Sequence, residues 1–199
     1  MKQGIINRQN ITGDDFSKAF NCPHDEIPKE VISCLNNINT AYRKPDVKEL
    51  EEYVLYVLKS MNSDGSLRSN EENYNAWEKG WKEHLVFLSA ENFSEQYLKP
   101  KYFRPSRFLR YKKDIIVIDN PDLEYELFTV ARHLLFLKYL SGVDHIYELG
   151  CGSCQNLLML SRLFPLKSLY GLDWSEASIK IAESLKKNID KKIEGIKFN

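Results

Sequence analysis

Apolar residues recur at helical spacing through the first part of the chain and in short strand-like runs after residue 145. Ile27, Val31, Ile32, Leu35 and Ile38 share one face of a helix over 26–38. Pro45 and Asp46 open a second helix, in which Leu50, Val54, Leu55, Val57 and Leu58 are apolar. Residues 61–66 read as a loop by composition. A third helix over 71–89 sets Trp77, Trp81, Leu85 and Leu88 on one face, an aromatic stripe that reads as core, with Glu78 and Lys82 paired on the other side. Asn120 caps a long helix that begins at Pro121, carries Leu123, Leu127, Ala131, Leu134, Leu135, Leu137 and Leu140, and stops at Gly142. Residues 1–22 look irregular, and 108–118 reads as a hairpin around Lys112-Lys113-Asp114.

The pattern changes at His145. Ile146 to Leu149 is a short apolar run holding one acid, Glu148, and a small-residue turn, Gly150-Cys151-Gly152-Ser153, follows. Leu157, Leu158, Leu160, Leu163 and Phe164 then return to helical spacing. A second run, 168–172, closes on Asp173, Ser175 caps another helix, and 193–198 looks like a third strand. Strand, glycine turn, helix, strand, helix, strand is the opening of a doubly wound parallel sheet. The expected fold class is therefore α/β. A mainly helical segment over 1–118, all-α in its first part and a candidate substrate cap, leads into the first three strands of a Rossmann-like sheet over 119–199.

Glycines at 150 and 152 let the backbone bend sharply and approach a ligand closely. The helix behind them presents unpaired N–H groups, and Asp173 at the next strand end can accept hydrogen bonds from ribose hydroxyls. A dinucleotide fingerprint wants a glycine at the sixth position, where this chain has Gln155. The spacing from Gly150 to Asp173 nevertheless suits a nicotinamide enzyme as an alternative.

The segment Glu148-Leu149-Gly150-Cys151-Gly152-Ser153-Cys154, with the acid in Gly171-Leu172-Asp173-Trp174-Ser175, resembles the class I S-adenosylmethionine-dependent methyltransferases. The resemblance implies that Glu148 and the turn from Gly150 through Cys151 to Gly152 hold the methionine part of the cofactor. It implies that Asp173 binds the ribose and that Trp174 lies beside the adenine. Cys154 stands where that family has a third glycine. The resemblance also implies a seven-stranded sheet, so the chain is expected to be a truncated portion. The edge of the first strand would then be covered by a partner, by further residues or by a second copy, and the chain alone would not turn over. No catalytic residue can be named. Two functions follow: methyl transfer to an N or O atom of a small metabolite, or a cofactor-binding or interaction module without turnover.

Composition narrows the partners. Lys plus Arg balances Asp plus Glu at 28 each, which gives no general pull toward nucleic acid or an anionic membrane. No apolar run of about 18 residues and no signal-peptide layout are present, so a cytoplasmic location is the default expectation. One local exception is 97–113, which holds seven bases, five aromatics and no acid. It reads as a solvated segment, as a site for a small anionic substrate, or as a single-strand nucleic-acid surface. Arg110 and Tyr111 are its candidate substrate contacts. Cys151 and Cys154 make a C-x-x-C, which invites a redox or zinc role, but their place in the turn favours free structural thiols and no metal.

Overall fold

The computed structural model describes residues 7–62, 70–89, 94–189 and 193–197. The elements run β1 (Gln9–Asn10), α1 (Gly13–Phe20), α2 (Lys29–Asn36), β2 (Ala41–Arg43), α3 (Val47–Asn62), α4 (Asn70–Ser89), β3 (Phe108–Tyr111), β4 (Asp114–Ile118), α5 (Leu123–Leu140), β5 (His145–Leu149), α6 (Gln155–Leu163), β6 (Ser168–Asp173), α7 (Glu176–Ile189) and β7 (Ile193–Lys197). The fold is mixed α/β. Contacts divide it into two compact units. Unit 1 is made of 1–67 and 103–134, and unit 2 of 68–102 and 135–199.

Unit 1 corrects the all-α expectation for the first part of the chain. It holds an antiparallel sheet in the order β1-β2-β4-β3, with Tyr42 opposite Ile118 and Phe108 opposite Val117. The 108–118 hairpin is present, and Lys112 and Lys113 form its two-residue turn with φ of 47° and 72°. Both central residues of a type I′ turn need positive φ, which matches the right-handed twist of the flanking strands. β1 and β2 are two and three residues long, too short for apolar alternation to mark them. The helix expected over 26–38 is shorter. Pro28 cannot donate to a preceding turn and stands as the N-cap of α2, behind a 3-10 turn at His24–Glu26. Pro121 likewise lies ahead of α5, because the Asn120 side chain accepts the Asp122 N–H at 3.0 Å in a local turn.

In α3 the buried residue is an acid. Asp46 and Glu49 form a capping box: the Glu49 N–H donates to Asp46 at 2.9 Å and the Asp46 N–H donates back to Glu49 at 2.9 Å. Arg43 donates two parallel bonds to the Glu49 carboxylate, each 2.6 Å, and Arg107 adds a second cation. Leu50, Val54, Leu55 and Leu58, apolar residues of this helix, are exposed. Met61 and Asn62 continue the helix rather than opening a loop, and 63–66 lie outside the described residues.

Unit 2 holds the parallel sheet β5-β6-β7. The third strand ends at Lys197, and Phe198 lies outside the described residues. Leu157, Leu169, Ile181, Leu185 and Ile193 are fully or almost fully buried in one apolar cluster with Leu88 of α4 and Leu98. Gly171 of β6 is a glycine for reasons of space. A Cβ there would stand 2.7 Å from Leu157 and 2.9 Å from the Cys151 sulfur. On the opposite face of the sheet, Tyr147 and Tyr170 are in register and stack with ring centroids 4.5 Å apart. No described helix is long and apolar enough to cross a membrane.

Candidate functional site

The site is built where β5 and β6 end in unit 2. Past Leu149 the chain turns through Gly150 at φ 69° and Gly152 at φ 52°. Both are left-handed conformations that glycine adopts without steric cost. The Gly150 and Cys151 N–H groups donate to the Leu172 carbonyl at 2.7 and 3.2 Å, which ties the turn to the end of β6. The Cys154 N–H closes on the Cys151 carbonyl at 2.7 Å, and Cys154 becomes the N-cap of α6. Its φ of 60° keeps the backbone that a third glycine would adopt, although Cys154 is fully buried.

Asp173 stands beside this turn, 3% exposed. One carboxylate oxygen accepts the Gly152 N–H at 2.8 Å and the other accepts the Ser175 N–H at 2.9 Å. Each oxygen has a second lone pair beyond the bond it accepts. Ser175 caps α7 as its position suggested: the Ser178 N–H donates to its hydroxyl at 3.2 Å. Glu148, on β5, accepts from the Asn156 side chain of α6 at 2.7 Å. Glu148, Gly150, Cys151, Gly152 and Asp173 are therefore brought together.

The two glycines face different surroundings. Nothing lies within 4 Å of a Cβ position at Gly150, so that side of the turn is open to a ligand. At Gly152 a Cβ would meet the Trp81 indole at 2.8 Å. Trp81 belongs to α4, with Trp77 stacked on it at 5.7 Å and His84 at 5.5 Å. The ring of Trp174 does not stand clear but packs on Tyr74 of α4 at 4.1 Å. Burial pushes the His84 imidazole below its ordinary pKa, and its Nδ1 lies 2.5 Å from the Tyr97 carbonyl, which accepts an N–H. Sequence reasoning read the α4 stripe as core. For Trp81 that holds in part, since it packs on the apolar cluster. Its contact with the turn, and that of Tyr74 with Trp174, join residues about 70 and 100 positions apart, respectively, and carry no local signal.

Arg110 and Tyr111 belong to unit 1, on β3. Arg110 is exposed. Tyr111 meets Tyr42 edge to face at 5.6 Å, and burial raises its phenol pKa. Much of the basic run around them is paired internally. Lys101 bonds Glu83, Arg107 bonds Glu49, and Lys112 bonds Asp15. All four cysteines are free thiols, and the sulfurs of Cys151 and Cys154 lie 3.8 Å apart. Among the described residues no group of three or more His, Cys, Asp or Glu side chains could hold a metal ion.

No protein-family model matches the chain, and no curated protein matches it. Solved structures to which it is similar include coclaurine N-methyltransferase bound to N-methylheliamine and SAH, at 12% identity and a TM-score of 0.35 over 78% of this chain. Another is the S-adenosylmethionine-dependent methyltransferase SibL in its apo form, at 12% identity and a TM-score of 0.30 over 96% of this chain. The chain spans 45% of the length of the first and 56% of the second.

Proposed function

We propose that unit 2 binds S-adenosylmethionine and that the chain serves methyl transfer to an N or O atom of a small metabolite. The observation that carries this reading is the 2.8 Å bond from the Gly152 N–H to Asp173, which sets a glycine turn and an acid side by side at the ends of two parallel strands. The residues fit the cofactor: Gly150 leaves open space, and the Asp173 oxygens are held by neutral donors. Glu148 and the turn from Gly150 to Gly152 would hold the methionine part, Asp173 the ribose, and Trp174 the adenine. When bound, the cofactor supplies a methyl group on a positively charged sulfur. What the protein must add is chiefly alignment of an acceptor lone pair with that methyl.

The second reading is a binding module without turnover, and the Trp81 indole against Gly152 favours it, because that side of the turn is already filled. Calorimetry with S-adenosylhomocysteine and with NAD, followed by an assay for transfer of a labelled methyl group, separates the readings. Binding of S-adenosylhomocysteine is expected, and transfer of the label to an acceptor decides for the enzyme. Binding without transfer to any acceptor favours the module, and tighter binding of NAD overturns the cofactor class.

A further inference from the structure

We propose that Cys151 and Cys154 form a modification site, a dithiol that hydrogen peroxide closes to a disulfide inside the glycine turn. The backbone already has the geometry. The bond from the Cys154 N–H to the Cys151 carbonyl makes 151–154 a four-residue turn. Such a turn holds its first and last Cα atoms within about 7 Å, which overlaps the span of about 4.4–6.8 Å that a disulfide bridges. The sulfurs are 3.8 Å apart and must approach to about 2.0 Å, a movement that side-chain rotation and a small shift of the turn supply together. The other neighbours of the Cys154 sulfur are the Gly152 and Ser178 carbonyls at 3.8 and 3.6 Å, weak contacts that closure gives up at little cost.

The two thiols have different parts. Cys151 is 4% exposed and Cys154 not at all, and burial pushes the Cys154 thiol up, so Cys151 reacts first and Cys154 resolves. The Cys151 thiolate attacks one peroxide oxygen, the O–O bond breaks, and the departing hydroxide takes a proton to become water. The resulting sulfenic acid is attacked by the Cys154 sulfur. The S–O bond breaks, the S–S bond forms, and the oxygen leaves as a second water with the Cys154 proton. Two sulfurs are oxidised and one peroxide is reduced. Closure draws the Cys151 sulfur from its seat beside Gly171 and shifts the segment that carries the Gly152 N–H to Asp173. Loss of cofactor affinity on oxidation follows, and this last step alone rests on the proposed function.

The test is peroxide treatment of the folded chain, then unfolding, alkylation and mass spectrometry of the tryptic peptide 139–162, whose only cysteines are these two. The expected peptide has lost two hydrogens, carries no alkyl group, and recovers both thiols with dithiothreitol. Cys151→Ser and Cys154→Gly each abolish the link. The glycine variant suits the positive φ at 154, and circular dichroism confirms that it folds. Two alkylated thiols after treatment, or added oxygen in place of the link, overturn the site. Calorimetry of reduced and oxidised protein with S-adenosylhomocysteine judges the consequence. Equal affinity removes the switch. A reduced protein that does not bind sinks the cofactor reading, while the mass still decides the disulfide.

Discussion

Each unit buries a carboxylate, and they are held in opposite ways. In unit 1 Glu49 is gripped by the Arg43 fork and by Arg107, so its charge is spent on cations of the same unit. In unit 2 Asp173 is held by two peptide N–H groups, which orient the oxygens without cancelling the charge. A carboxylate matched by guanidinium is finished as a structural element. One held by neutral donors keeps its negative charge for a ligand. On the proposed function, the contrast separates an acid that serves the fold from one left to meet a ligand.

Breaking the Glu49 grip should have the largest effect. Glu49→Ala leaves Arg43 without its buried partner and should cost about 3–5 kcal/mol, the range for removing one member of a buried pair. Chemical denaturation checks it, and hydrogen exchange should place the loss in unit 1. Acid performs the same experiment reversibly. The Arg43 hydrogen bonds hold Glu49 at about 2, against an ordinary value of 4.5. A lowered carboxylate contributes fully above pH 4.5 and loses its contribution as pH falls toward 2. Asp15 falls in the same window. Burial pushes it up, but Lys112 and the Thr12 N–H outweigh that and hold it at about 2. Exchange protection in unit 1 should decline across that interval before protection of β5 and β6 does.

Gly152→Ala should come next, at about 2–4 kcal/mol from a left-handed alanine and a clash with Trp81. Adding Trp81→Leu should recover the steric part and leave the conformational part, as a double-mutant cycle by thermal denaturation would show. Asp173→Ala should weaken S-adenosylhomocysteine binding by about 1.5–3 kcal/mol, and equal affinity in calorimetry would contradict its ligand-directed role. Cys154→Gly should change stability by less than about 1 kcal/mol, because relief at φ 60° offsets the lost thiol packing. A large loss of melting temperature would show that the thiol is essential to the turn.

The parts of this contrast were unequally legible in the sequence. The glycine turn, Asp173 and the Ser175 cap are encoded by consecutive residues whose local geometry follows from residue type, and the structure places them as expected. Glu49 has a local signature in its capping-box spacing from Asp46 and in Arg43 six positions before it, but its contact with Arg107, 58 positions away, leaves no local trace. The same holds for the short strands, since β1 pairs with β2, about 32 positions on, and β2 with β4 far along the chain. Trp81 was placed on the right face of its helix, but periodicity names a face and not the glycine it will meet.

Gly171 constrains the history of this chain. It has no unusual backbone angle to preserve, so space alone forbids a side chain there. Alanine at 171 would press on the ends of two side chains, the Leu157 methyl at 2.7 Å and the Cys151 sulfur at 2.9 Å, so each must shift or give way to a smaller residue. A descendant with alanine at 171 is expected to show adjustment or lost bulk at both positions. Where the loss fell on 151, the dithiol would have gone with it.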